Sequence, residues 1–67
     1  MFYVIEMQSN TETGAAIVTA YSDKADALAA AYTAAAAAVK SAVPLHTIMV
    51  VTGTGFNAID PMVFEHN

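Results

Sequence analysis

The chain has 67 residues, of which 57% are hydrophobic and 12% charged, and this composition excludes a disordered segment. With two lysines, no arginine and a formal net charge of −4, the chain lacks the basic clusters that nucleic acids and anionic membrane surfaces require, so neither is an expected partner. The absence of cysteine excludes disulfides, thiol catalysis and zinc–thiolate sites.

The length permits a single domain, which we assign to residues 1–67, and predicts low stability for an isolated copy. The first residues contain neither a basic leader nor a small-residue cleavage site, so we expect no signal peptide and a cytoplasmic protein. The alanine-rich run 25–39 is too short for a membrane span, which needs about 20 apolar residues, and it contains Asp26.

Two strands are predicted before this alanine-rich run. Residues 2–8 are aromatic, β-branched or otherwise apolar on both faces for most of their length, which indicates a buried strand. The polar cluster 9–14 predicts a hairpin loop, and residues 15–21 predict a second strand. The two strands should therefore pair antiparallel.

A helix is predicted next, because Ser22 or Asp23 can cap its first turn and alanine is the best helix former. We expect it to continue to about Val43 and to stop at Pro44. Its bulky stripe should lie on the sheet: Leu28, Tyr32, Ala35 or Ala36, Val39 and Val43. The remaining alanine ridge is either a plain solvent-facing surface or a contact for a second helix: Ala30, Ala31, Ala34, Ala37 and Ala38.

Residues 45–52 predict a third strand, Gly53–Gly55 a turn, and residues 56–64 a fourth strand that Pro61 confines to a sheet edge or breaks. The predicted fold is therefore α+β, with the element order ββαββ. It has a four-stranded antiparallel sheet of order 2-1-3-4 and one helix packed on one face. Order 1-2-3-4 with a parallel central pair is the alternative.

One helix covers only one face of such a sheet, although strands one and three are apolar on both faces. The uncovered apolar face predicts a homo-oligomer, in the first place a dimer, while an unidentified protein partner or a ligand on the same face is the alternative. We predict the interface residues as Phe2, Val4, Ile48 and Val50. The opposite-face residues are the alternative set: Tyr3, Ile5, Met7, Met49 and Val51.

Three segments carry a resemblance to other proteins: residues 1–8, residues 21–24 and, most strongly, residues 35–47. The chain resembles a group of short, uncharacterised bacterial proteins from gut Firmicutes over nearly its whole length. Relatives of that type have more lysine, arginine and glutamate in the helix. The resemblance implies a free-standing small cytoplasmic protein, and it brings no catalytic or binding residue with it.

His46 and Glu6 are the candidate chemical site, because His46 begins the third strand and Glu6 lies on the strand that we place beside it. Such a pair can act as a general base with an orienting acid, or as two metal ligands. The alternative is a hydrogen-bonded structural histidine. A metal site of His46, Glu65 and His66 would require the tail to fold back, so we predict no metal and no cofactor.

Thr52–Gly55 has the glycines of a phosphate-binding loop but is followed by a strand instead of a helix, so we interpret it as a hairpin turn. The function that these patterns favour is a non-enzymatic protein–protein interaction module that self-associates. One alternative is a ligand-binding or weakly catalytic protein with His46 and Glu6 in a pocket at a dimer seam. Another is an acidic inhibitor-type accessory protein.

Overall fold

The computed structural model describes residues 1–9 and 14–66. It contains β1 (Phe2–Ser9), β2 (Gly14–Tyr21), α1 (Lys24–Val39), β3 (Leu45–Thr52) and β4 (Met62–Glu65). The strands form one sheet of order β2-β1-β3-β4, in which every neighbouring pair is antiparallel. The predicted α+β ββαββ fold and its strand order are therefore confirmed, and the order with a parallel central pair is wrong.

The first hairpin joins β1 to β2 without a break in pairing from Phe2–Tyr21 to Ser9–Gly14. The predicted hairpin loop covers residues 9–14. Ser9 and Gly14 are the last pair of the two strands, and residues 10–13 between them lie outside the described residues.

Helix α1 begins as predicted and ends early. The Asp23 side chain caps it by accepting a hydrogen bond of 2.9 Å from the backbone amide of Ala25. At the other end, the amides of Lys40 and Ser41 donate to carbonyls only three residues back, which tightens the last turn. The helix therefore stops at Val39, four residues before the predicted end and well before Pro44 can act on it.

The helix faces the sheet with alanine. Its buried residues are Ala27, Ala31, Ala35 and Ala38, and they pack on Val4, Ile48 and Val50. The predicted bulky stripe is wrong for Tyr32 and Val39, which are more than half exposed, and it is confirmed for Ala35, which is buried, and for Leu28, which packs against the core. The prediction that the alanine ridge forms a separate surface is also wrong, since Ala31 and Ala38 belong to the core. Alanine there lets the helix backbone lie close to β1 and β3.

The second half of the sheet closes through the predicted turn. The Gly55 amide donates to the Thr52 carbonyl at 2.9 Å, and Gly55 has a φ of +93°, a conformation that other residues rarely adopt. Strand β4 is shorter than predicted, since residues 56–61 contribute a single bridge between Asn57 and Val51. Pro61 directly precedes β4, and β4 lies at a sheet edge as predicted.

Candidate functional site

One face of the sheet carries no helix, and we call it the uncovered face. Residues paired across antiparallel strands point to the same side, so the face follows directly from the strand register. The pairs Ile5–Val18, Ile5–Met49 and Thr47–Val63 all lie on it. Its apolar residues are Tyr3, Ile5, Met7, Ala16, Val18, Ala20, Leu45, Met49, Val51 and Val63. Its polar strand residues are Ser9, Thr47 and Glu65.

The predicted interface residues lie on the opposite side of the sheet. Val4, Ile48 and Val50 are buried in the core beneath α1, and Phe2 packs against that core. The prediction that these four residues line the uncovered face is therefore wrong. The register places the alternative set there instead, beginning with Tyr3, Ile5 and Met49.

The uncovered face is apolar and almost neutral. Met7, Val18 and Val63 are exposed. The side chains at the centre of the face pack against one another and are half-buried. Within the described strands, Glu65 is the one charged residue on this side, at the margin of the sheet. An apolar area of this kind is typical of a protein interface.

The two edges of the sheet differ in length and chemistry. Strand β4 has four residues, follows Pro61 and ends in Glu65. Strand β2 has eight residues, none of them charged or proline, and seven of them are exposed. No residue of β2 was among the predicted site residues, although its uncharged composition is visible in the sequence.

His46 and Glu6 lie near each other, as the strand order requires, but on the helix-covered side. His46 is only 4% exposed, and its Nε2 lies 4.0 Å from Oε1 of Glu6, which is 26% exposed. That distance allows an ion pair when His46 is protonated but is too long for a hydrogen bond. Neither ring nitrogen of His46 has a hydrogen-bond partner among the described residues.

Gln8 completes this polar group. It pairs directly with His46 across β1 and β3, and its amide nitrogen donates to Oε1 of Glu6 at 3.2 Å. The Glu6 carboxylate therefore has a hydrogen bond from Gln8, whereas the buried imidazole of His46 has none among the described residues. A general base must reach the proton that it removes, and a ring that is almost fully buried offers a substrate no such approach. The arrangement has the features of a structural group within the fold.

A surface groove of about 780 Å³ lies beside this group. The ends of β1 and β2 line it from Gln8, Ser9, Gly14 and Ala15, and residues 41–44 line the other side. None of these lining residues is charged, and the groove borders residues 10–13, so we assign it no ligand.

His66 has a structural contact and does not join His46. Its Nε2 lies 2.9 Å from the carbonyl oxygen of Ala38, and its backbone amide donates to the Pro44 carbonyl at 2.8 Å. Over residues 1–9 and 14–66, no three histidine, aspartate or glutamate side chains are grouped as a metal site would need. The only helix in this part of the chain is too short and too weakly apolar to cross a bilayer.

Comparison with known proteins returned no match to a protein-family model, to a curated protein or to a solved structure. The site must therefore be interpreted from its own geometry.

Proposed function

We propose that this protein is a non-enzymatic protein–protein interaction module that forms a homodimer through its uncovered face. The observation that carries the proposal is the apolar, nearly neutral side of the sheet that α1 leaves open. A twofold contact requires only one self-complementary patch, which this face supplies. The absence of cysteine fits a reducing compartment such as the cytoplasm.

The dimensions of the molecule are compatible with this role. Its total accessible surface is 4286 Å² and its principal extents are 34 × 20 × 17 Å. A stable interface buries about 800 Å² from each partner, roughly a fifth of this surface. A sheet face that follows the two longer dimensions provides an area of that order.

The energetics require several large side chains to be buried together. Fully burying one valine, isoleucine or methionine contributes about 1.5–3 kcal/mol. Rigid-body association costs about 4–15 kcal/mol, so one or two such residues cannot hold a dimer. The uncovered face offers a contiguous group, with Ile5 and Met49 at its centre and Val18 and Val63 at its margins.

Charge also favours a second copy of the chain. The net charge of −4 would repel a like molecule if it lay at the contact. In the described strands, Glu6 lies on the helix-covered side, and Glu65 lies on the uncovered face only at its margin. Two uncovered faces can therefore meet with little repulsion.

The other two hypotheses have less support. His46 and Glu6 lie on the helix-covered side, so they cannot line a seam formed by the uncovered face. The described residues contain no acidic cluster that favours the acidic accessory protein, and that hypothesis rests on net charge alone.

The test is the molar mass in solution at micromolar concentration, measured by sedimentation or light scattering. We expect the wild-type chain to associate and Met49→Lys to weaken association, because a charge then lies at the centre of the face. Ala29→Lys is the matched control, since Ala29 lies on the exposed side of α1 and the charge change is the same. Circular dichroism verifies that both variants fold. A wild-type monomer over the whole range, or equal effects of the two lysines, would contradict the proposal.

A further inference from the structure

Strand β2 leaves a complete edge of the sheet open. Its pairing with β1 runs through all eight residues without a bulge, and it is the terminal strand on that side. An unpaired edge presents a row of backbone donors and acceptors to any strand that approaches. Natural sheets usually protect such an edge with a short strand, a proline or a charge, and β4 shows all three protections. Strand β2 has none of them.

Both sides of β2 are exposed over most of its length, and only Tyr21 at its end packs against the core. Ile17 points to the helix-covered side and is 57% exposed, because α1 lies mainly over β1 and β3. Its neighbour Val18 points to the uncovered face and is 60% exposed. A strand added at this edge would bury apolar surface on both sides of the sheet as well as pairing the backbone.

We infer that β2 is a strand-addition site whose occupant is β2 of a second copy, in the antiparallel direction. The two sheets then become one sheet of eight strands, related by a twofold axis perpendicular to it and close to Ile17 and Val18. Because antiparallel partners point to the same side of a sheet, the axis passes Ile17 or Val18, whose side chain then faces its own copy. Either register pairs seven residues of each strand and forms about six to eight new backbone hydrogen bonds. This contact differs from the face contact proposed above.

The choice of a second copy follows from charge and symmetry. Because β2 carries no charged side chain, two copies bring no like charges together along the strand, despite the net charge of −4. The perpendicular axis leaves both helices on one side of the joined sheet. The two helices are kept apart, because each lies mainly over β1 and β3 and seven of the eight β2 residues are exposed.

This symmetry has a consequence for the uncovered face. The uncovered faces of the two copies lie on the same side of the joined sheet and form one continuous apolar area of doubled width. If two such sheets then stack by those faces, the assembly closes as a tetramer with two kinds of twofold contact. Edge pairing and face pairing together therefore define a closed assembly.

The experiment separates the two contacts by substitution. Ile17→Lys places a positive charge at the edge, on the helix-covered side of the sheet. Glu6 lies directly opposite it on β1, so the lysine gains a partner of opposite charge within its own chain and the monomer fold is preserved. Thr19→Lys is a second edge variant on the same side, also at an exposed position. Met49→Lys addresses the uncovered face, and Ala29→Lys is the control for charge. Molar mass is measured for each single variant and for each of the two edge lysines combined with Met49→Lys.

We expect Met49→Lys to remain a dimer through β2, and the addition of an edge lysine to shift this dimer toward the monomer. In the Met49→Lys background, each edge lysine should weaken the dimer about tenfold or more, because every dimer loses contacts of both copies. A folded Met49→Lys monomer would overturn the edge inference and leave the face proposal intact. It would also be the outcome if the edge takes a strand of another protein. A Met49→Lys dimer that neither edge lysine weakens would also overturn the inference.

Discussion

Ile5 and Met49 lie directly opposite each other on the central strands β1 and β3, and both point away from the helix. Their neighbours Val4 and Val50 form the equivalent pair on the other side and are buried. The two central strands thus carry large apolar side chains on both faces, but the chain has only one helix with which to cover them. The remaining face needs a partner to be removed from water.

If that partner is a second copy, thermal stability depends on protein concentration. The melting temperature of the wild-type chain should rise over a roughly hundredfold range of concentration, because association stabilises the folded state by mass action. Ile5→Ser should reduce this dependence, since it removes apolar area from the centre of the face. Differential scanning calorimetry measures both. A wild-type melting temperature that is independent of concentration would contradict self-association.

The helix–sheet contact gives a second prediction. Ala31 is fully buried between α1 and the central strands, and there is no space for a larger side chain. Ala31→Leu should therefore lower the free energy of unfolding by about 1–3 kcal/mol, or displace the helix. Tyr32→Ala, at the exposed neighbouring position, should change it by about 0.5 kcal/mol or less. Urea denaturation compares the two variants, and the opposite ranking would show that the bulky stripe faces the sheet.

The strand order was predictable from the sequence, because the most apolar strands occupy the centre and Pro61 belongs at an edge. Which face of the sheet the helix covers was not predictable in the same way. In β1, the positions of Tyr3, Ile5 and Met7 are wholly apolar, whereas Glu6 and Gln8 share their side with Val4. A rule that puts the more apolar side of β1 under the helix leaves Phe2 and Val4 on the uncovered face, as predicted, and the structure contradicts that rule. The helix covers the side that contains Glu6, Gln8 and His46.

Alanine explains much of this difficulty. Sixteen residues of α1 contain so much alanine that hydrophobicity hardly distinguishes one side of the helix from another. Side-chain size is then the remaining guide, and it predicts Tyr32 and Val39 for the core. Close packing selected the small residues instead, because Val4, Ile48 and Val50 already fill the space above the sheet. The candidate pair His46 and Glu6 was brought together as predicted, but its burial depends on this choice of face.

The buried imidazole gives a third prediction. A buried polar group without a hydrogen bond lowers stability, and an apolar replacement of similar size removes that cost. His46→Leu should therefore leave the free energy of unfolding unchanged or raise it by about 1 kcal/mol or more. Chemical denaturation at neutral pH measures the change.

Glu6→Gln is the control for this experiment, because it removes the carboxylate that lies 4.0 Å from the ring and preserves the side-chain shape. If the histidine and the carboxylate form a stabilising ion pair, both variants lose stability. That result would contradict the interpretation of His46 as an unpaired structural residue.

The last prediction concerns the contact between His66 and the end of α1. The carbonyl oxygen of Ala38 can only accept, so Nε2 of His66 must carry the hydrogen in this 2.9 Å contact. This carbonyl also accepts from the Ser41 amide, so His66 supplies its second hydrogen bond, and His66→Ala should lower the free energy of unfolding by about 1 kcal/mol or less. His66→Gln keeps a side-chain donor and should recover part of that loss. Hydrogen exchange of the amides in the last turn of α1 should accelerate in His66→Ala and less in His66→Gln, whereas equal rates in all three chains would show that the contact does not hold the helix end.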